Sequence, residues 1–125
     1  SHKLISKILK EKWRFSDKGS HVIINADGII EPDYVGYLSR LLTSHYQFNN
    51  NKVIIMKTAI DEDYSKYLLG SLHESIDVEQ MTKELSDKID GITITFSNKD
   101  GQMIINPLQE DSLMSIILKQ FKISL

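Results

Sequence analysis

Apolar residues recur at helical spacing in several stretches of this chain. In the first stretch, Leu4 and Ile5 lie four and three positions before Ile8, and the three form one apolar stripe with Trp13 beyond it. This spacing predicts an amphipathic helix of about three turns whose other side carries lysines. The same periodicity predicts four more helices, over residues 34–45, 64–72, 78–89 and 113–121.

Short runs rich in β-branched residues predict strands between these helices. The runs are 21–24, 52–56, 92–96 and 103–105. The run at 52–56 is almost continuously apolar, which is typical of a strand covered on both faces, so we expect it at the centre of a sheet. The last two runs are separated by Asn98-Lys99-Asp100-Gly101, which predicts a β-hairpin whose turn holds Gly101 at a positive φ.

Polar residues and glycines mark the ends of the predicted helices. Asp33 and Asp61 each stand where a carboxylate can accept hydrogen bonds from the free amides at a helix start. Asp77 and Gln80 are similar to a capping box ahead of the fourth helix. Gly91 is expected to end that helix in the left-handed conformation.

The order of the predicted elements indicates an α/β fold. A strand joined through a helix to the next strand implies parallel pairing with a right-handed crossover, and the late hairpin adds antiparallel strands to the same sheet. We therefore predict a three-layer sandwich, with a mixed central sheet of about four strands and helices on both faces. At 125 residues the chain suffices for one such domain, residues 1–125, in which Ser1-His2 matches a purification-tag remnant.

The tetrapeptide after the first predicted strand, Ile30-Glu31-Pro32-Asp33, gives this layout a family resemblance. It stands where thioredoxin-like proteins carry a Cys-x-Pro-Cys-like motif, and it keeps the proline. The predicted hairpin and helix over residues 92–121 are also similar to the C-terminal portion of that family. The resemblance implies a thioredoxin-like fold over most of the chain, with Ile92 near the position at which the family has a cis-proline.

The chain contains no cysteine, which excludes disulfide exchange and thiolate metal sites. We therefore expect a redox-inactive member of the family, with no catalytic residue, cofactor or metal. The resemblance implies instead an apolar groove that binds a partner, formed by Ile29, Ile30, Glu31, Pro32, Asp33 and Ile92. The alternative is that Ile29 and Ile30 continue a strand into the core and Asp33 only caps a helix.

The function expected on this basis is a non-catalytic module that binds a protein or peptide, as one domain of a larger chaperone-like protein or complex. A second interpretation is a roadblock- or profilin-like module, in which Asp27-Gly28 turns a hairpin and the domain dimerises or acts as a scaffold through a sheet edge. Pairing of residues 29–31 with residues 22–24 would favour the second interpretation. An enzyme acting through carboxylates is a third, which no motif supports.

Charge narrows the expected partners. A net charge of −2 and a pI near 6.0 argue against nucleic acid and anionic membranes, because both are bound through an excess of Lys and Arg. The first 18 residues are the exception, since basic residues there outnumber Glu11 and Asp17, and we interpret them as a solvated helix face. No apolar run approaches the roughly 18 residues that cross a bilayer. The lack of cysteine favours a cytoplasmic location, with a secretory-pathway parent protein as the alternative.

Overall fold

The computed structural model of the protein describes residues 2–17, 21–29, 31, 53–71, 76–97 and 100–120. Within these ranges there are three α-helices, which are α1 (His2–Lys10), α2 (Val78–Lys88) and α3 (Glu110–Gln120). There are six strands, which are β1 (Phe15–Asp17), β2 (His21–Asn25), β3 (Val53–Ala59), β4 (Ser65–Gly70), β5 (Thr93–Ser97) and β6 (Asp100–Ile105). Short 3-10 helices cover Lys12–Arg14 and Pro107–Gln109.

The six strands form one mixed sheet in the order β1-β2-β3-β4-β6-β5. Strands β2 and β3 are parallel, with Val22 opposite Ile54, and every other neighbouring pair of the described sheet is antiparallel. The predicted α/β class, the interior position of β3 and the hairpin of β5 with β6 are therefore confirmed. The predicted thioredoxin-like sheet of about four strands is not found.

The clearest wrong prediction is the helix over residues 64–72. That segment contains β4, which returns along β3 after a tight turn in which Ile60 N donates to Tyr64 O at 3.0 Å. Asp61 does cap free amides, because its Oδ1 accepts from Asp63 N at 2.8 Å and from Tyr64 N at 2.9 Å. The amides belong to a turn, however, so the same local chemistry that starts a helix here closes a hairpin.

The edge strand β1, which the sequence did not predict, decides a further alternative. Phe15 pairs with Ile24 and Asp17 with Val22, while the other side of β2 pairs with β3. Because both sides of β2 are occupied, Ile29 and Glu31, the described residues of this segment, do not pair with residues 22–24. A hairpin turned by Asp27-Gly28, on which the roadblock-like interpretation depended, is thus wrong. The helix predicted over residues 34–45 lies outside the described residues.

The sheet separates two hydrophobic clusters. The first core cluster lies under α1, and it contains Ile8, Val22, Ile24, Ala26, Ile54, Met56 and Leu68. The second core cluster lies under α2 and α3, and it contains Val53, Ile55, Tyr67, Leu69, Val78, Met81, Leu85, Ile89, Met103, Ile105, Leu113 and Ile117. Alternate residues of each strand belong to opposite clusters, as strand geometry requires. Helices therefore cover both faces, as predicted.

The ends of α2 follow the sequence signals, whereas Gly101 does not. Asp77 caps α2 by accepting from Gln80 N at 3.0 Å, and Gly91 has a φ of +75° after the helix. Gly101 does not have the predicted positive φ, because it lies within β6 rather than in the turn. Its lack of a side chain serves packing instead: a Cβ there would overlap the Thr82 side chain of α2. The glycine allows helix and sheet to approach closely.

Candidate functional site

Helix α1 presents a row of lysines to solvent. Its apolar side buries Ile8 in the first core cluster, and the opposite side exposes Lys3, Lys7 and Lys10. With a rise of 1.5 Å per residue, the row extends over about 10 Å. The structure shows no ion pair for these three lysines within the part of the chain that it describes. We call them the lysine face, which borders a groove of about 510 Å³.

Trp13 follows directly after the lysine face and is held in place by Arg14. The Trp13 side chain is 66 % exposed, and the Arg14 guanidinium carbon lies 4.2 Å from the centre of its ring. Arg14 is itself 8 % exposed; it pairs with Glu11 and donates to Asp27 O at 2.7 Å and Asn25 O at 3.3 Å. A fixed cation behind an exposed indole makes Trp13 a rigid aromatic platform.

Asp27, to which Arg14 behind Trp13 is hydrogen-bonded, connects two strand ends. Its Oδ1 accepts from Ala59 N at 2.6 Å, and its Oδ2 lies 3.7 Å from Lys57 Nζ. Its backbone amide donates to Asn25 Oδ1 at 2.8 Å. These contacts join the end of β2 to the end of β3. The site is therefore built on paired strands, which hold side chains more precisely than a loop does.

A cleft of about 210 Å³ opens on the other face of the sheet, beside the start of α3. Trp13 belongs to its lining. Apolar atoms of Ile23, Ile55 and Met114 line the cleft. Its polar lining includes Ser16 and Asn25 and four larger side chains, which are Arg14, Lys57, Tyr67 and Glu110.

The Tyr67 hydroxyl is the unusual group in this cleft. The residue is 1 % exposed, and its hydroxyl has no hydrogen-bond partner among the described residues. Burial, followed by the negative charge of Glu110, raises the pKa of Tyr67 well above its ordinary value. The two groups interact through charge and through a weak hydrogen-bonding contact whose geometry lies outside the ordinary range. Tyr67 therefore stays protonated and can donate a hydrogen bond.

Two of the residues predicted from the sequence to form a groove, Ile29 and Ile92, lie apart. Ile29 packs against the first core cluster and Ile92 against the second, on opposite faces of the sheet. Strands β3, β4 and β6 lie between β2 and β5, a separation of roughly 19 Å at the usual strand spacing. Glu31 is exposed. The other three residues, Ile30, Pro32 and Asp33, lie outside the described residues, so partner binding by this set stays a prediction.

The sequence did contain a signal for the lysine face. The excess of basic residues before position 18 was visible, but the near-neutral total charge favoured a solvated helix side. Trp13 was placed beyond the apolar stripe of the first helix, and the structure shows that it is exposed after that helix ends. The cleft has no signal in the sequence, because its polar residues come from separate elements.

Two other classes of site can be assessed over the same residues. Within the described ranges, no group of three His, Asp or Glu side chains is placed to hold a metal ion. The acidic run Asp61-Glu62-Asp63 forms the turn between β3 and β4. One carboxylate oxygen of Asp61 accepts hydrogen bonds from the amides of that turn. No described helix is both long and apolar enough to span a membrane.

Comparison with known proteins finds likeness in structure alone, since no family model and no curated protein sequence matches the chain. A DHH domain described as a member of the S1P family of ribosomal proteins superposes with a TM-score of 0.63 and 11 % identity, over 96 % of this chain. The pGpG-specific phosphodiesterase PggH from Vibrio cholerae gives 0.59 and 11 %, over 97 % of this chain. The chain spans only 30 % and 40 % of the lengths of these two proteins.

A third similar structure is a complete small domain. The C-Ala domain of alanyl-tRNA synthetase from Aquifex aeolicus gives a TM-score of 0.54 and 13 % identity, over 82 % of this chain and 96 % of that domain. These matches correct two predictions. The thioredoxin-like resemblance is wrong, and nucleic acid is wrongly excluded, because the names of two similar structures refer to ribosomal proteins and to a tRNA synthetase. The chain thus shares a fold with these domains.

Proposed function

We propose that this domain binds single-stranded nucleic acid, as a non-catalytic binding module of a larger protein. The observation that supports the proposal is the lysine face followed three residues later by the exposed Trp13. Three lysines without an ion pair among the described residues and an exposed aromatic ring are the combination that single-strand binders use for phosphates and bases. The likeness to a ribosomal-protein-family domain and a tRNA-synthetase domain agrees with this role.

The overall charge sets the expected strength of the interaction. Because the chain carries a net charge of −2, phosphate binding has to come from a local cluster rather than from the whole surface. Three lysines on a single strand predict a slope of about −2 when log K is plotted against log salt concentration. A shallow slope combined with stacking indicates a short bound segment rather than a long wrapped one.

The proposal is tested by titrating the protein with labelled oligouridine and following fluorescence anisotropy. Trp13 is the only tryptophan of the chain, so quenching of its emission reports stacking directly. The variant Lys3→Glu/Lys7→Glu/Lys10→Glu should bind at least about tenfold more weakly, because each lost cation removes a phosphate contact. Equal binding by this variant and the unchanged protein would contradict the proposal.

A matched control separates the lysine face from net charge. The variant Lys83→Glu/Lys88→Glu/Lys119→Glu makes the same change in charge at exposed positions of α2 and α3. It should retain most of the affinity, since these lysines lie on the other face of the sheet. If both triple variants lose binding equally, general electrostatics rather than the lysine face is responsible.

The absence of catalysis is part of the proposal. No cysteine is present, so thiol chemistry is excluded. The similar phosphodiesterase is much longer than this chain, so we assign any reaction of a parent protein to parts outside it. Incubation of the domain with pGpG and Mg²⁺, followed by chromatography, should return the dinucleotide intact. Appearance of mononucleotide would show that the domain is itself an enzyme.

Binding of a protein or peptide is the second candidate, and β5 is the feature that favours it. In the described part of the sheet β5 is an edge strand, and it exposes Thr93, Thr95 and Phe96. An open edge can accept an extended peptide as an additional strand. Amide chemical-shift changes confined to β5 on adding a partner peptide would support this candidate, and changes confined to α1 would contradict it.

A further inference from the structure

The cleft beside α3 is distinct from the lysine face. Helix α1 covers the first core cluster, whereas the cleft is lined by Ile55 and Tyr67 of the second core cluster, on the opposite face of the sheet. Phosphate binding at α1 therefore gives no reason for polar side chains inside the cleft. Trp13 belongs to the lining of the cleft, so a strand that stacks there can place one of its bases within reach.

The unpaired Tyr67 hydroxyl indicates that the cleft receives a ligand. Buried hydroxyl groups are nearly always hydrogen-bonded, because losing water without gaining a partner costs free energy. Tyr67 is 1 % exposed and its hydroxyl has no partner among the described residues. A ligand atom that accepts a hydrogen bond would satisfy it.

Glu110 supplies the complementary property. An ionised carboxylate can only accept hydrogen bonds, and it does so from two donors at once when these lie side by side. The structure gives the Glu110 carboxylate no hydrogen bond that meets ordinary geometry within the described chain. Lys57 also lines the cleft, and its ammonium group, 3.7 Å from Asp27 Oδ2, can only donate. The lining of the cleft thus includes paired acceptor atoms, two donors and apolar side chains.

We propose that this cleft binds a guanine base of the nucleic acid strand. The proposal rests on the proposed function, and it names the base that the domain recognises. Glu110 accepts hydrogen bonds from N1–H and the N2 amino group, while Tyr67 or Lys57 donates to O6. Ile55 and Met114 contact the flat faces of the ring.

Guanine fits this arrangement better than the other bases. It is the only one of the four whose pairing edge presents two adjacent donors, so only guanine engages both oxygens of a carboxylate. Adenine and cytosine each offer one amino group, and uracil offers one ring N–H. The volume of the cleft, about 210 Å³, is below the roughly 300 Å³ at which ligand pockets usually begin, which suits a single base.

The test compares GMP, AMP, CMP and UMP by protein-observed NMR, with the methyl signal of Met114 as the reporter. We expect GMP to bind about tenfold more tightly than the other three, the discrimination typical of one bidentate contact. Equal affinity for all four mononucleotides would overturn the proposal, as would GMP-induced shifts that leave Met114 unchanged.

Two variants with a matched control test the assigned contacts. Glu110→Gln should lose the preference for GMP, because an amide has only one acceptor atom. Asp111→Asn makes the same change at the next, exposed position of α3 and should keep the preference. Tyr67→Phe should weaken GMP binding with little change in the melting temperature, since the hydroxyl has no well-formed hydrogen bond to another described residue. Unchanged GMP binding in Glu110→Gln would overturn the proposal.

Failure of this proposal can be told apart from failure of the proposed function. Oligouridine contains no guanine, so its binding depends on the lysine face and Trp13 alone. If oligouridine binds and GMP shows no preference, only the guanine assignment is wrong. If GMP binds preferentially and oligouridine does not bind, the cleft is a mononucleotide site and the strand-binding function is wrong.

Discussion

The two faces of the sheet differ in the exposure and the ion pairing of their charged groups. On the α1 face, the cations point away from the protein and have no counter-ion in the described structure. On the α3 face, Arg14 is paired with Glu11 and Lys57 with Asp27, and the polar groups are partly or fully buried. The difference is one between an electrostatic surface that tolerates many ligands and a small enclosed site that can be selective.

Because of this difference, we expect the two faces to contribute differently to the affinity and to the base preference of binding. Unpaired surface lysines provide attraction that falls with salt and carries no information about bases. Buried polar groups in fixed positions provide directional hydrogen bonds to a ligand, which discriminate because a mismatched ligand leaves one of these groups unsatisfied. Affinity should therefore depend on α1, and base preference should depend on the cleft.

The largest expected effect comes from matched truncations in the two cores. Ile8→Ala and Leu85→Ala each remove a fully buried side chain, from the first and second core clusters respectively, and each should cost about 3 kcal/mol of unfolding free energy. Only Ile8→Ala should also weaken binding of oligouridine, because α1 carries the lysine face. Urea denaturation and anisotropy at 10 °C test both statements. Equal loss of binding in the two variants would contradict the claim that the affinity for oligouridine depends on the α1 face.

A smaller effect is expected where α2 approaches the sheet. Gly101→Ala places a methyl group against Thr82, 3.1 Å from its Cβ, and should cost about 2 kcal/mol of unfolding free energy by overpacking. Thr82→Ala should relieve the clash, so the double variant should be more stable than Gly101→Ala alone. A double-mutant cycle in urea measures this coupling. Additive losses would show that Gly101 matters for a reason other than Thr82.

The smallest expected effect is a pH dependence that belongs to the cleft. The pKa of Tyr67 is raised in the folded protein by burial and by Glu110, so above pH 10 the unfolded chain loses this proton first. Stability should then fall with rising pH, by up to about 1.4 kcal/mol per pH unit from this group, and should not change below pH 9. Subtracting the profile of Tyr67→Phe isolates the effect. Identical alkaline profiles for the two proteins would show that Tyr67 is not buried as described.

The sequence predicts a helix or a strand correctly where the local pattern of apolar residues fits only one of the two. Helix α2 was predicted from Asp77, Gln80 and its apolar spacing, and β5 and β6 from alternation around a turn. The helix prediction for residues 64–72 was wrong because the apolar positions of this segment fit both the helical and the strand period. Tyr67 and Leu69 would share a face in a strand. Tyr64, Tyr67 and Leu68 would share a face in a helix. Pairing with β3 decided between them.

The candidate sites show the same limit more strongly. Lys3, Lys7 and Lys10 could be placed on one helix face from spacing alone, but whether a counter-ion lies opposite is a property of the folded chain. The cleft requires Arg14, Lys57, Tyr67 and Glu110 to meet, which no local pattern encodes. Gly101 is an example at a single residue. Its lack of a side chain is explained by contact with Thr82, which belongs to another element, and turn rules that use only neighbouring residues could not predict that contact.

The one parallel pairing in the described sheet, β2 with β3, bears on the order in which the chain folds. The hairpins of β3 with β4 and of β5 with β6 close over short loops, whereas β2 can join β3 only after the whole segment from Asn25 to Val53 has been brought round. Long closures cost more entropy and form slowly. We expect pulse-labelled amide exchange to show β4 and β6 protected before β2. Helix α1 would then dock last, and recognition of a ligand would be the final property that a newly made chain acquires.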